Sequence, residues 1–282
     1  MVISELTRAV YEQIQNSDSP RLEAEYIVMA AANMSRTEYL INKNTEASEE
    51  VIQKAKNAAV RRANGEPLAY ILGFAEFMGL TFLVSPSTLM PRADTETLVE
   101  KAIKFIGDTK VSDNGDTKIK VLDIGTGTGC IGISIAHFCK NADVTLLDIS
   151  KDALKVAGEN AEKNGVNVRL LQCDILSEIP DGEYDVIVSN PPYIETDIIP
   201  TLQTEVKDFE PLSALDGGED GLIFYRRIAE IGKRLLKNNG LLMFEIGYNQ
   251  AEAVTEIMGT YKSVCCEKDL CGNDRIVYGI NK

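Results

Sequence analysis

The sequence contains no tryptophan and only one histidine, His137. A lone histidine leaves little scope for an imidazole base or a histidine-rich metal centre. It lies on a predicted helix between Ala136 and Phe138 with no partner in view, which fits a packing or surface role. The six cysteines, Cys130, Cys139, Cys173, Cys265, Cys266 and Cys271, form no C-x-x-C pair. Reduced thiols, no bound metal and a cytoplasmic setting are expected. No apolar run approaches the roughly 18 residues of a membrane helix. The opening Met1-Val2-Ile3-Ser4-Glu5 lacks the basic-then-apolar pattern of a secretory signal. Basic residues are scarce as well. The chain has 29 Lys and Arg against 43 Asp and Glu, a net charge of −14. Such an acidic chain is a poor general binder of phosphate backbones, so neither nucleic acid nor membrane is expected as a partner.

The remainder is ordinary. Of 282 residues, 44% are apolar and 26% charged, the composition of a globular protein with one or two domains. Residues 1–67 read as a small helical domain. Ile3, Leu6 and Val10 recur at helical spacing, Ser19-Pro20 looks like a helix start, and Ser35 with Glu38 forms a capping box. Val51, Ile52, Ala55, Ala58 and Ala59 mark the inner face of a last helix. Lys54, Lys56, Arg61 and Arg62 read as its solvated face, and Gly65 and Pro67 end it. Residues 68–84 read as a β-hairpin within a linker spanning 68–90, followed by a third segment, 91–282. A helix is expected at 95–105 and a turn cluster at Asp113-Asn114-Gly115-Asp116. From Ile119 onward strands alternate with helices, which implies a parallel, doubly wound α/β sheet of Rossmann type.

Two motifs fall at strand ends. Asp123-Ile124-Gly125-Thr126-Gly127-Thr128-Gly129 joins a predicted strand to a predicted helix. Glycine there permits a sharp turn and lets backbone approach a ligand. Asp148 ends the next strand, where a carboxylate can accept from both hydroxyls of a ribose. Gly127, Gly129 and Gly132 also satisfy G-x-G-x-x-G, so the loop alone leaves a nicotinamide dehydrogenase open. The second motif, Asn190-Pro191-Pro192-Tyr193, follows the fourth strand. Two prolines stiffen the turn and remove two backbone donors. Acceptors remain: the Asn190 side-chain oxygen and nearby carbonyls. They suit a substrate presenting NH2 on a planar conjugated group, against which Tyr193 offers an aromatic face.

These residues resemble the S-adenosylmethionine-dependent methyltransferases that modify amide or exocyclic nitrogens. Gly65-Glu66-Pro67-Leu68-Ala69-Tyr70, Pro91-Arg92-Ala93-Asp94-Thr95-Glu96, Phe209-Glu210-Pro211 and Gly272-Asn273-Asp274-Arg275 narrow the match. Together the motifs are similar to the release factor glutamine methyltransferase family (HemK/PrmC) over nearly the whole chain. Ala93 departs from the family, which usually has a second proline there. The resemblance implies a class I methyltransferase fold behind a small N-terminal helical domain that helps recognise substrate. It also implies a monomeric cytoplasmic enzyme that methylates the glutamine of the Gly-Gly-Gln motif in class 1 peptide-chain release factors. Carried over residue by residue, Gly125, Thr126, Gly127, Thr128 and Gly129 line the cofactor and Asp148 holds its ribose. Asp174 and Ile175 flank the adenine, and Asn190 lies between cofactor and substrate. Pro191, Pro192 and Tyr193 complete the glutamine pocket, with Asn190, Pro191 and Tyr193 as the catalytic set.

Two rivals remain: an adenine-N6 or guanine-N2 nucleic-acid methyltransferase, and a non-catalytic protein that binds the cofactor or a partner. Charge argues against the first. Residues 195–220, just past the proline motif, hold one lysine against eight carboxylates. Phosphates would be repelled there and a basic protein attracted. Two intact motifs argue against the second.

Overall fold

The computed structural model describes residues 1–109 and 118–282. The turn cluster expected at 113–116 lies outside them. The chain forms two compact units, Met1–Phe74 with Gln203–Phe209, and Ala75–Leu202 with Glu210–Lys282.

The first unit is helical: α1 (Ile3–Gln13), α2 (Pro20–Ala32), α3 (Arg36–Ile41), α4 (Glu49–Ala63) and α5 (Leu68–Leu72). The predicted capping box starts α3. The Glu38 amide donates to Ser35 Oγ at 3.2 Å, and the Ser35 amide donates to Glu38 Oε2 at 2.7 Å. The core gathers Ile3, Leu6 and Val10 of α1, Ile27 and Val28 of α2, and Ile52, Ala55 and Ala59 of α4. Two expectations change. Arg62 is not on a solvated face. It continues the 52, 55, 59 stripe at helical spacing, is only 5% exposed, and pairs with Glu23 and, at 2.6 Å, with Glu205. Residues 68–72 are helical rather than part of a hairpin. Pro67 caps α5 at its start, and Gly73 ends it in the left-handed region at φ 82°.

The hairpin itself is β1 (Phe74–Phe77) and β2 (Leu80–Leu83), turned at Met78 and Gly79, both at positive φ. In the second unit follow α6 (Glu96–Asp108), β3 (Ile119–Ile124), α7 (Cys130–Phe138), β4 (Ala142–Asp148), α8 (Lys151–Lys163), β5 (Arg169–Gln172) and β6 (Tyr184–Ser189). Then come α9 (Ile223–Leu235), β7 (Leu236–Glu245), α10 (Ala251–Ile257), β8 (Lys262–Lys268) and β9 (Asp274–Ile280). The seven-stranded sheet runs β5-β4-β3-β6-β7-β9-β8. Successive residues of β3 point to opposite faces. Val121 joins a core with α6, α7 and α8, while Leu122 and Ile124 join a second core with α9 and α10. That two-sided burial explains the near-continuous apolar strands.

The sheet is mixed, not all parallel. β9 runs antiparallel to both β7 and β8. Only residues 269–273 separate β8 from β9, too few for a parallel crossover, so that pair must be antiparallel. The longer crossover through α10 returns β8 in the direction of β7 with one position skipped, and β9 fills it.

Candidate active site

Four neighbouring strands end in register at one edge. Ile124 pairs with Leu147 of β4 and with Ser189 of β6, and Asp148 pairs with Gln172 of β5. Ser189 Oγ donates to the Ile124 carbonyl at 2.7 Å and ties two of these ends together. The glycine loop, Asp148, Asp174 and Asn190 therefore emerge side by side. The sheet changes winding direction about β3, the position where open α/β sheets bind ligands.

Gly125 and Gly127 take φ values of 72° and 54°, and a Cβ at either would meet no atom within 4 Å. Glycine is needed there for conformation, and the backbone is left open. Gly132 is needed for contact instead, since a Cβ would lie 2.2 Å from Leu146 Cδ2 where α7 packs on β4. Asp123 braces the loop from within. Its Oδ2 accepts from Thr126 Oγ1 at 2.6 Å and from the Gly132 amide at 3.0 Å. Complete burial pushes its carboxyl up to about 7, against the pull of those two bonds. Asp148 Oδ2 accepts from the Gly127 amide and Oδ1 from the Ser150 amide, each at 2.9 Å. Burial also raises Asp148, while these amide bonds favour its charge. Asn160 of α8, fully buried, staples the loop to the hairpin. Its Nδ2 donates to the carbonyls of Thr128 and Leu83 at 2.9 and 3.0 Å.

The Asn190 side is assembled from distant segments. Asn190 Nδ2 donates to Thr95 Oγ1 at 3.4 Å. Glu245, buried at the end of β7, has its carboxyl pushed up to about 7, by burial first of all. Glu210, buried, accepts two bonds from Arg92 at 2.9 and 3.1 Å. Gln250 Nε2 donates to the Tyr193 carbonyl at 3.0 Å and fixes the chain beyond the prolines. Sequence reasoning missed Thr95 and the Arg92–Glu210 pair as parts of the site.

One cleft of about 450 Å³ is lined by Gly125, Thr126, Gly127, Thr128, Asp148, Asp174, Ile175, Asn190, Pro191 and Pro192. Apolar side chains of Leu89, Met90, Leu212 and Phe224 add walls. Two expected site residues do not line it. Gly129 sits behind the loop as the first turn of α7 begins, and Tyr193 is half-buried beyond the prolines. Asp174 curls on itself, accepting from the Leu176 amide at 3.0 Å and from Ser177 Oγ at 2.9 Å.

The acidic stretch 195–220 is less charged in effect than its count suggests. Glu205 pairs with Arg62, Glu210 with Arg92 and Asp220 with Arg226. Glu195, Asp197 and Glu219 stay exposed. Among the described residues, no three His, Cys, Asp or Glu side chains gather to hold a metal ion. Likewise, no helix there is long and apolar enough to cross a membrane.

Two family models match the chain: the PrmC N-terminal domain over residues 5–73 and the methyltransferase small domain over residues 109–204. The chain is 39% identical to the release factor glutamine methyltransferase of Geobacter sulfurreducens over 264 residues, 93% of this chain and 90% of that protein. It is 35% identical to the Clostridium botulinum protein of the same name over 98% of both. Among solved structures, a methyltransferase from Pyrococcus furiosus superposes with a TM-score of 0.52 at 20% identity, covering 80% of this chain and 98% of that one. The human Mettl16 catalytic domain, solved with an RNA hairpin, superposes at 0.54 with 16% identity, covering 79% and 81%. At such identities the two structures speak for the fold alone.

Proposed function

The chain belongs to the release factor glutamine methyltransferase family, and we propose that it transfers a methyl group from S-adenosyl-L-methionine to a glutamine of peptide-chain release factors. The acceptor is the side-chain nitrogen (N5) of the glutamine in their Gly-Gly-Gln motif. The observation that carries this reading is that two strand-end motifs, the glycine loop and Asn190-Pro191-Pro192, meet in one cleft.

The cleft residues fit the cofactor. Where a Cβ would occupy space at Gly125 and Gly127, none is present, so a ligand can lie against bare backbone. Asp148 is held by two amides at the cleft's edge and keeps lone pairs for ribose hydroxyls. Asp174 and Ile175 supply an acceptor and an apolar wall for the adenine. When bound, S-adenosylmethionine supplies a methyl group on a positively charged sulfur.

The protein's own part is to present the nucleophile. An amide nitrogen is weakly nucleophilic because its lone pair is shared with the carbonyl. Asn190 Oδ1 and the Pro191 carbonyl accept from the substrate NH2, orient it, and stabilise positive charge developing on nitrogen. The methylated nitrogen is strongly acidic and releases its proton to water. No dedicated base is required, in keeping with a chain that has one histidine. The helical first unit is assigned to recognition of the protein substrate, and exposed Glu195, Asp197 and Glu219 favour a basic partner.

The test is transfer of radiolabelled methyl with release factor, tRNA and DNA offered in parallel. Label is expected in release factor, on glutamine. Label entering nucleic acid instead would overturn the reading.

A further inference from the structure

We propose that Arg92 binds the α-carboxylate of the cofactor's methionine tail; this rests on the cofactor reading given above. Among the described residues that line the cleft there are three carboxylates, Asp148, Asp174 and Asp216, and a single cation, Arg92. S-adenosylmethionine has one anionic group, the α-carboxylate, beside a positive ammonium and a positive sulfonium. The Gly-Gly-Gln segment of the substrate has no charged side chain. Of the two reactants, only the cofactor therefore brings the cleft an anion, and only Arg92 answers it in charge.

The order of the strands puts Arg92 on the matching side. Adenine is assigned to Asp174 and Ile175, past the end of β5, and ribose to Asp148 at the end of β4. The next strands across the sheet are β3 and β6. Asn190 follows β6, and the methyl-bearing sulfur must come close to it for transfer. Only a short aliphatic chain separates that sulfur from the carboxylate. Arg92 belongs to this end of the cleft. Its carbonyl accepts from the Thr95 amide at 3.0 Å, and Thr95 Oγ1 lies 3.4 Å from Asn190 Nδ2.

Arg92 is also held in place with donors to give. A guanidinium has five N–H groups. Nη2 donates to both oxygens of Glu210, at 2.9 and 3.1 Å. Nε and Nη1 make no hydrogen bond among the described residues, so their N–H groups stay unused. The side chain of Glu210 is 0% exposed and that of Arg92 44%. A carboxylate so buried needs its cation, which fixes the guanidinium from behind while its other side remains within reach of a ligand. Glu210 has a second effect. A lone arginine would repel the sulfonium nearby, whereas the paired one keeps its donors and loses much of its field.

The experiment measures, by calorimetry on the full chain without release factor, the Kd of S-adenosylmethionine and of its decarboxylated analogue. The analogue keeps adenine, ribose, sulfonium and ammonium and lacks only the carboxylate. Wild type should prefer S-adenosylmethionine by about 10- to 100-fold, the scale of a hydrogen bond to a charged group. Arg92→Gln should lose most of that preference, through weaker binding of S-adenosylmethionine. Arg92→Lys keeps a cation for Glu210 but not the planar donor set, and should show an intermediate preference. A merely structural role would weaken both ligands alike and leave their ratio unchanged, so the ratio reports the carboxylate contact.

Equal affinity of wild type for the two ligands overturns the inference. So does an Arg92→Gln variant with the wild-type ratio; if its KM for release factor rises instead, the donors of Arg92 serve the protein substrate. Should Arg92→Gln fail to fold, Arg92→Lys decides, and an unchanged ratio there overturns the inference. A wild type that binds neither ligand refutes the cofactor reading itself. A wild type that binds S-adenosylmethionine, with a ratio untouched by substitution, refutes only the role of Arg92.

Discussion

On the glycine-loop side of the cleft, Asp148 finds its partners Gly127 and Ser150 within 21 residues of chain, and both are backbone amides. On the Asn190 side, the partner Thr95 lies 95 residues away and acts through a side-chain hydroxyl. The first arrangement is built from local geometry and tolerates many side chains nearby. The second depends on two specific side chains at once. Backbone amides can only donate, so they suit a fixed carboxylate that receives a ligand's hydroxyls. Side-chain amides can face either way, so they need outside help to hold an acceptor toward a substrate.

The comparison can be broken first at Asn190. Asn190→Ala removes the acceptor that meets the nucleophile and should reduce kcat about 100- to 1000-fold, as for loss of a group that stabilises transition-state charge. Cofactor affinity, measured by calorimetry, should be nearly unchanged. A variant with near-normal turnover would remove Asn190 from the chemistry. Asp148→Ala should show the opposite pattern. Loss of charge-assisted bonds should weaken cofactor binding by about 10- to 100-fold, with kcat at saturating cofactor largely kept. If kcat falls instead, the two sides are not separable in the way argued above.

The smallest effect concerns stability. Asp123 and Glu245 are each buried and raised to about 7 in the fold. A carboxyl whose folded value is raised binds its proton more tightly in the native state, so stability falls as pH rises through that value. The carboxylates lowered in the fold, such as Asp220 and Glu267, lose their contribution only at more acidic pH. Between pH 8 and pH 6 the protein should therefore become more stable, by about 1 kcal/mol for each of the two groups. Urea midpoints at the two pH values test this, and Asp123→Asn should flatten the difference. A midpoint that falls at pH 6 would contradict the buried-acid account.

These contrasts follow how much of the molecule can be read along the chain. The capping box at Ser35, the strand–loop–helix at Asp123 to Cys130 and the stiff turn at Asn190 are local, and local rules locate them. The helical stripe through Ile52, Ala55 and Ala59 was legible too. That Arg62 continues it was obscured by charge, because a buried arginine is explained only by Glu23 and Glu205 from elsewhere in the chain. The same holds for the acidic stretch 195–220, where a count of charges says nothing of which ones are paired.

By itself the sequence determined the alternation of strands and helices, the two motifs at strand ends and the family they resemble, since each depends on residues a few positions apart. Only the tertiary structure decided that β9 slips between β7 and β8, that Gly129 and Tyr193 stand back from the cleft, and that Thr95 stands against Asn190. The physical reason is common to all three. Strand pairing, packing and buried hydrogen bonds join residues distant in sequence, and such contacts exist only once the sheet has brought its edges together.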